Sequence, residues 1–295
     1  MTIRHLKIFI TVADCGKMNL AAKQLYISQP SVSQAIQELE SYYGVTLFDR
    51  LSQKLYITQA GKQLLPMARH AVDSFETTDS VMKNAGVHPT IRIGASVTVG
   101  TCLLHKLIPA LEQRLKKAAV NVIVNNTTAI ETLLLSSNLD IGIVEGIVAS
   151  KELVQFPVCQ DELVLVIGSD HPFWNKKHIT LDMLNGQNYI SREDGSATRN
   201  QYEQLLAENQ IELCTKWVCS NTEAIKNTLM TGSELAILSN LLVKEEIAQG
   251  KLKALTVKNI SVRRSFTLIY HKNKLLSTPM QEFISLSQQM FKPPV

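Results

Sequence analysis

Residues 191–199 read Ser-Arg-Glu-Asp-Gly-Ser-Ala-Thr-Arg, with two arginines, hydroxyls and a glycine crowded around the start of a helical pattern. That chemistry suits an oxyanion: free N–H groups and the helix dipole supply positive potential, and a guanidinium adds paired hydrogen bonds. Other polar groups stand at strand-to-helix junctions. Ser96, Thr98 and Gly100 follow the strand-like TIRIGAS, Thr128 precedes a helical run, and Glu145 ends LDIGIVE. In α/β folds such junctions face the ligand crevice. Ser96, Thr98, Gly100, Thr128, Glu145, Arg192, Ser196, Thr198 and Arg199 are therefore the expected site for a small anion, with Arg192 or Arg199 as counter-charge. The plainer use of each Ser or Thr is helix capping. Thr128 with Glu131, and Ser220-Asn-Thr-Glu223, have the spacing of capping boxes, and both arginines can also serve in surface ion pairs.

A second polar constellation lies near the N-terminus. A short Ala-rich helix, LAAKQLY, with Asn19 as its expected cap, precedes a tight turn at Tyr26 and Ile27. Ser28 then caps a helix through PSVSQAIQELESYYG, with Pro30 in its first turn, where a missing N–H is harmless. Val32, Ile36 and Leu39 face inward; Gln29, Ser31, Ser33, Gln34 and Gln37 stay outside. Small polar residues let a helix sit deep in a DNA major groove, and Gln can pair with adenine through two bonds. Arg50 and Lys54 follow in a basic ribbon that can hold phosphates. Residues 1–62 carry Arg4, Lys7, Lys17, Lys23, Arg50, Lys54 and Lys62 against Asp14, Glu38, Glu40 and Asp49, a local positive excess.

Other chemistries find little support. GxSxG, HExxH, GxxxxGK[ST] and GxGxxG are missing, so no catalytic residue, cofactor site or metal site is expected. Seven scattered histidines and five cysteines (Cys15, Cys102, Cys159, Cys214 and Cys219) form no zinc spacing. Cys214 and Cys219 are either a redox pair or thiols packed in a strand. A solute-binding protein for transport would need a signal peptide. The first residues read instead as an amphipathic helix, with Ile3, Leu6, Phe9, Ile10 and Ala13 on one face. No apolar run approaches the about 20 residues of a membrane span, so a cytoplasmic protein is expected.

These groups need elements to hold them. The 295 residues, 45% hydrophobic and 19% charged with net charge +4, make a globular chain of two or three domains. LSQKLYIT alternates as a strand. From Thr58 a long helix runs through Pro66, with Leu64, Leu65, Ala68, Val72, Phe75 and Val81 near helical spacing, to a hinge at Gly86–Pro89. Beyond residue 90, strands alternate with helices, the signature of a parallel or mixed sheet. LVQFPV and DELVLVIGSD are expected as two strands, and RSFTLIYHK and PMQEFISLSQQMF as a last strand and helix.

LKIFITVADCGKMNLAAKQLYISQPSVSQAIQELE, then LFDR, then LYITQAGKQLL, resemble the N-terminal domain of LysR-type transcriptional regulators, and the remaining length and α/β order match that family. The resemblance implies an α/β protein with an N-terminal winged helix-turn-helix, a long linker helix used for dimerisation, and a two-lobed, periplasmic-binding-protein-like (type 2) effector domain. It places Gln29, Pro30, Ser33 and Gln34 in the recognition helix and Arg50 and Lys54 at the basic positions before and within the wing. The implied domains are 1–58 for DNA binding, 59–87 for the linker helix, 88–160 with 267–295 for lobe I, and 161–266 for lobe II. The implied partners are double-stranded promoter DNA, a small-molecule anionic effector and further copies of the chain, as homodimer or homotetramer. Four departures stand out. Family members often carry Arg where Gln34 stands, and two basic residues within the stretch held here by Leu51 to Lys54. KKAAVNVIV lacks the aromatic and Pro common before the second effector-domain strand. SREDGSATR resembles the REPGSGTR-like segment of the branch that regulates carbon fixation and sulfur assimilation, with Asp194 for Pro and Ala197 for Gly.

Overall fold

The structure is a computed structural model and describes residues 1–51, 54–83, 90–116, 118–257 and 261–291. Of residues 50, 51, 54, 77, 80, 81 and 83 it describes the backbone alone. The hinge expected at Gly86–Pro89 and the side chains of Arg50, Lys54 and Val81 lie outside the described residues. The chain divides into two units, one built mainly on residues before 84 and the other on residues from 90 onward.

The first unit opens with α1 (Ile3–Cys15), α2 (Met18–Gln24) and α3 (Gln29–Tyr43). Gly16 closes α1 at φ 62°, and the chain turns so tightly there that α2 begins at once, with Lys17 at its cap position. Asn19, expected as that cap, therefore lies inside the helix. Ser28 caps α3: its Oγ accepts from the Ser31 N–H at 3.3 Å, and Gly44 ends the helix at φ 67°. Val32, Ile36 and Leu39 are buried against Phe9, Val12 and Ala21. The small Ala21 and Ala22 let α2 approach this core closely. A two-stranded ribbon follows, β1 (Phe48–Leu51) antiparallel to β2 (Lys54–Ile57), with Arg50 opposite Leu55. Thr58 caps α4 (Gln59–Lys83) by accepting from the Gly61 N–H at 3.1 Å. A Cβ on Gly61 would stand 2.5 Å from the Leu47 carbonyl oxygen, so this close approach needs glycine.

The second unit starts with β3 (Thr90–Ser96), the short α5 (Val97–Val99), a π-turn (Gly100–Leu104) and α6 (His105–Arg114). Next come β4 (Ala119–Asn125), α7 (Thr127–Leu135), β5 (Ile141–Glu145) and β6 (Leu153–Gly168). After β7 (His178–Ile179) and a 3-10 turn follow β8 (Asn188–Ser191), α8 (Ala197–Glu208), β9 (Cys214–Val218), α9 (Thr222–Thr231) and β10 (Leu235–Ser239). The chain continues with α10 (Asn240–Ala248), β11 (Leu252–Val257), β12 (Val262–His271) and α11 (Thr278–Met290). The main sheet has the order β4-β3-β5-β12-β6-β10-β8-β9. Pairs β3–β4, β3–β5, β8–β9 and β8–β10 are parallel; β6 and β12 run antiparallel to each other.

LVQFPV and DELVLVIGSD, expected as two strands, are one continuous β6. Pro157 and the polar Cys159-Gln-Asp read as a break, but the ladder with β12 absorbs them in a register shift between Phe266 and Thr267. A bulge is where a strand tolerates proline. The shift also marks a boundary between cores. Ile91, Ile141, Val158, Phe266 and Phe283 share one cluster, lobe I; Leu163, Ile167, Tyr189, Leu206 and Ile237 share another, lobe II. Two expected capping boxes take another form. Asn126 caps α7 by accepting from the Ala129 N–H at 2.9 Å, while Glu131 reaches the Ala149 and Ser150 N–H groups. Asn221 caps α9 through the Glu223 and Ala224 N–H groups. In both cases an Asn directly ahead of the helix takes the cap in place of the hydroxyl: Asn126 stands two residues before Thr128, and Asn221 one residue after Ser220.

Candidate functional site

In the first unit α3 exposes Gln29, Pro30 and Gln34, while Ser31 and Ser33 are half-buried. The Ser31 hydroxyl lies 2.8 Å from Ser28 Oγ and belongs to the cap. Gln34 is not free to rotate: its Nε2 donates to Glu38 Oε1 at 2.8 Å. The other Glu38 oxygen accepts from His5 Nε2 at 2.8 Å, and His5 Nδ1 accepts from the Thr2 N–H at 3.1 Å. The hydrogen bond from His5, then that from Gln34, holds the Glu38 carboxyl below the usual range. A carboxylate can only accept, so Gln34 must present its amide carbonyl outward together with its second N–H. The sequence reading missed Glu38 and His5; their spacing across two helices is visible only after folding.

In the second unit the polar residues of the expected site fall into three sets. Ser96 and Thr98, both fully buried, turn onto the carboxylate of Glu145, itself 2% exposed. Ser96 Oγ donates to one Glu145 oxygen and Thr98 Oγ1 to the other at 3.0 Å. Their hydroxyls are thus already engaged with an internal anion. Thr128 lies elsewhere: its N–H and hydroxyl both reach the Gly195 carbonyl at 3.4 Å. Asn126 Nδ2 donates to the Asp194 carbonyl at 3.0 Å, so α7 of lobe I is tied to the loop ahead of α8 in lobe II. Gly195 takes φ 81°, and a Cβ there would meet Asn126 at 2.9 Å. Gly100 has a packing reason of its own, since its Cβ would meet Val124 at 2.8 Å.

The third set gathers at the start of α8. Ser196 Oγ caps the helix. Arg192, 2% exposed, is held by the neighbouring Glu193 through Nε and Nη2 at 2.9 and 3.0 Å, leaving Nη1 buried and without a partner. Arg199 pairs with Asp194 and Glu203 at 2.7 Å. Thr198 accepts from Nη1 of Arg264, a residue the sequence reading passed over. Arg264 on β12 stands opposite Asp161 on β6, both side chains 1% exposed, with Nε donating to Asp161 at 2.7 Å. Ser239 donates to the other Asp161 oxygen at 2.6 Å, and Arg264 Nη2 is buried without a partner. The signal was present as charges inside otherwise apolar strands, which are costly unless paired. Cys102 on the π-turn sits among these groups. Burial pushes its thiol up to about 11, with Asp161 and Glu145 adding to the rise and Lys226 and Arg264 opposing it.

A model described as "Bacterial regulatory helix-turn-helix protein, lysR family" matches residues 3–62, and one described as "LysR substrate binding domain" matches residues 84–292. The chain belongs to the LysR family. It is a DNA-binding transcriptional regulator with a winged helix-turn-helix and a two-lobed effector-binding domain. Among similar LysR-type proteins, the uncharacterized HTH-type transcriptional regulator YwqM of Bacillus subtilis is 32% identical, covering 99% of this chain and 100% of its own. A probable RuBisCO transcriptional regulator of Phaeodactylum tricornutum is 29% identical over 96% of this chain and 94% of its own, in line with the carbon-fixation branch. The solved regulatory domain of Synechocystis CcmR in complex with 2-PG is similar in fold, with TM-score 0.65 and 23% identity over 70% of this chain and 98% of that one.

The LysR-type frame leaves Cys214 and Cys219 in an extended segment at the sheet edge, beginning at β9. Five residues of strand span about 16 Å, whereas disulfide-bonded Cα atoms lie less than about 7 Å apart. An internal disulfide between these two would require β9 to come off the sheet. No helix among the described residues is long and apolar enough to cross a membrane.

Proposed function

We propose that this cytoplasmic LysR-type regulator reads promoter DNA through Gln29, Pro30, Ser31, Ser33 and Gln34, with Arg50 and Lys54 on phosphates. A small anion taken up between its lobes controls it, and the protein acts by binding rather than catalysis. The observation that carries the effector reading is the pair of buried guanidinium nitrogens, Nη1 of Arg192 and Nη2 of Arg264, that lack partners. A buried donor without an acceptor costs about 1–3 kcal/mol, and an arriving oxyanion removes that cost. Ser96, Thr98, Gly100, Thr128, Glu145, Ser196, Thr198 and Arg199 form the surroundings of this uptake, with Arg264 added to them. That CcmR was solved with 2-PG supports a small ligand in this fold.

The working unit is a homodimer or homotetramer. Phe75 and Met82, a heptad apart on α4, are exposed together with Met67, as a dimerising helix requires. The edge strands β4 and β9 expose Val122, Ile123 and Val124, and Trp217 and Val218. Ligand shifts such an assembly only through its differential affinity for two arrangements.

The test is DNA binding to the intergenic region beside the protein's own gene, with wild type, Gln29→Ala and Ser33→Ala at two salt concentrations, followed by anions added to the wild-type complex. Selective binding lost in the variants and a footprint changed by an anion support the reading. Binding that ignores both substitutions overturns the DNA assignment, and ligands confined to molecules that carry no anionic group overturn the anion assignment.

A further inference from the structure

The cleft holds one polar group that an anion alone cannot satisfy. Glu145 is 2% exposed, and its carboxylate is met by two hydroxyl donors, Ser96 and Thr98. Among the described contacts it has no cation, whereas Asp161 has Arg264, Glu193 has Arg192, and Glu246 has Lys226. A carboxylate withdrawn from water is costly unless an opposite charge reaches it. At the other end of the same cluster, Arg264 spends Nε on Asp161 and Nη1 on Thr198, and Nη2 is left over. A Cβ on Gly146, next to Glu145, would stand 2.5 Å from Ala197, and Arg264 donates to the following residue, Thr198, so the two ends lie on adjoining segments.

We infer that the effector is zwitterionic: an ammonium group pairs with Glu145 beside Ser96 and Thr98, while a carboxylate or comparable oxyanion takes the free nitrogen of Arg264. This rests on the cleft being the effector site, as proposed above, and narrows its ligand class to small amino acids and their sulfonate or phosphonate analogues. A ligand with only the negative end would leave Glu145 unpaired and bring a second anion close to it. An amine alone would leave Arg264 as it is. Only a molecule with both ends relieves both groups.

The experiment is thermal unfolding of the full chain with the protein amino acids, taurine and aminomethylphosphonate, each beside its deaminated counterpart and a matching amine. At least one amino compound is expected to raise the melting temperature well above its two counterparts. Glu145→Gln is expected to weaken that compound about ten- to hundredfold, the loss of a charge-assisted hydrogen bond, and to tighten binding of the deaminated acid, whose carboxylate no longer faces a second anion. The wild-type comparison stands by itself should the variant fold poorly. If deaminated acids stabilise the wild type as well as their amino forms, the zwitterion inference falls and the anion reading survives. If no compound of any kind shifts the melting temperature, both fall together.

Discussion

Helix α3 and the buried polar cluster of the second unit solve opposite problems with polar residues. On α3 Gln29, Pro30 and Gln34 stay at the surface, and an apolar core built on Phe9, Val12, Val32 and Leu39 holds the helix. In the second unit Ser96, Thr98, Glu145, Asp161 and Arg264 are all buried, the hydroxyls bound to Glu145 and the guanidinium to Asp161. The first arrangement separates stability from recognition, so a contact residue can change without unfolding the unit. The second fuses them, because each potential ligand contact is also a structural bond.

That contrast breaks most visibly at Asp161. Asp161→Ala leaves Arg264 buried without its anion, and chemical denaturation is expected to show a loss of about 3–5 kcal/mol. Replacing both partners by apolar residues should restore most of it; a double variant as unstable as the single one would refute the pairing argument. On α3, Gln29→Ala should leave the unfolding curve in place and cost about 1–3 kcal/mol of discrimination in competitive DNA binding. An equal loss on all sequences would make Gln29 a mere phosphate contact. Ser28→Ala removes the α3 cap and should cost about 1 kcal/mol, read by thermal unfolding.

The smallest effect expected is at His171, in the loop after β6. Its Nδ1 accepts from the Phe173 N–H at 3.1 Å, which puts the ring proton on the buried, unpartnered Nε2. Burial lowers its folded pKa below the ordinary 6.5, so the neutral ring stabilises the fold fully above that value. This contribution is lost as pH falls through the lowered folded pKa. His171→Gln should therefore flatten the decline of stability between about pH 7 and 5, and an unchanged decline would assign it to other groups.

The same contrast governs what the sequence alone could reveal. On α3 every signal is local: Ser28 before Pro30, apolar residues at helical spacing, Gly44 at the end. Such signals survive without knowledge of the fold. Gly44 and Ser28 stand where the spacing puts them. In the cleft the junction residues could be located, because strand ends and helix starts are also local. Their partners could not. Glu145 meets Ser96 from 49 positions away, and Arg264 meets Asp161 from 103. The hydroxyls of Ser96 and Thr98, placed by local rules before an incoming anion, already donate to Glu145. Strand β6 reads as two strands for a related reason: Pro157 is a break by local rules, and only the bulge against β12 makes it harmless.

Strands β6 and β12 also fix an order of assembly. Lobe II takes its core from a contiguous stretch, from Leu163 to Val257 with Val262 packed against it. Lobe I draws on Ile91 through Val158 and then on Phe266, Leu268, Met280, Phe283 and Leu286. A ribosome delivers the chain from the N-terminus. Most of lobe I therefore emerges early and waits, its apolar strands uncovered, until the last segment arrives, while lobe II can complete itself in between. Newborn chains cut short after lobe II would carry an open lobe I, lacking Phe266, Leu268, Met280, Phe283 and Leu286 from its core and exposing its apolar strands to chaperones and proteases.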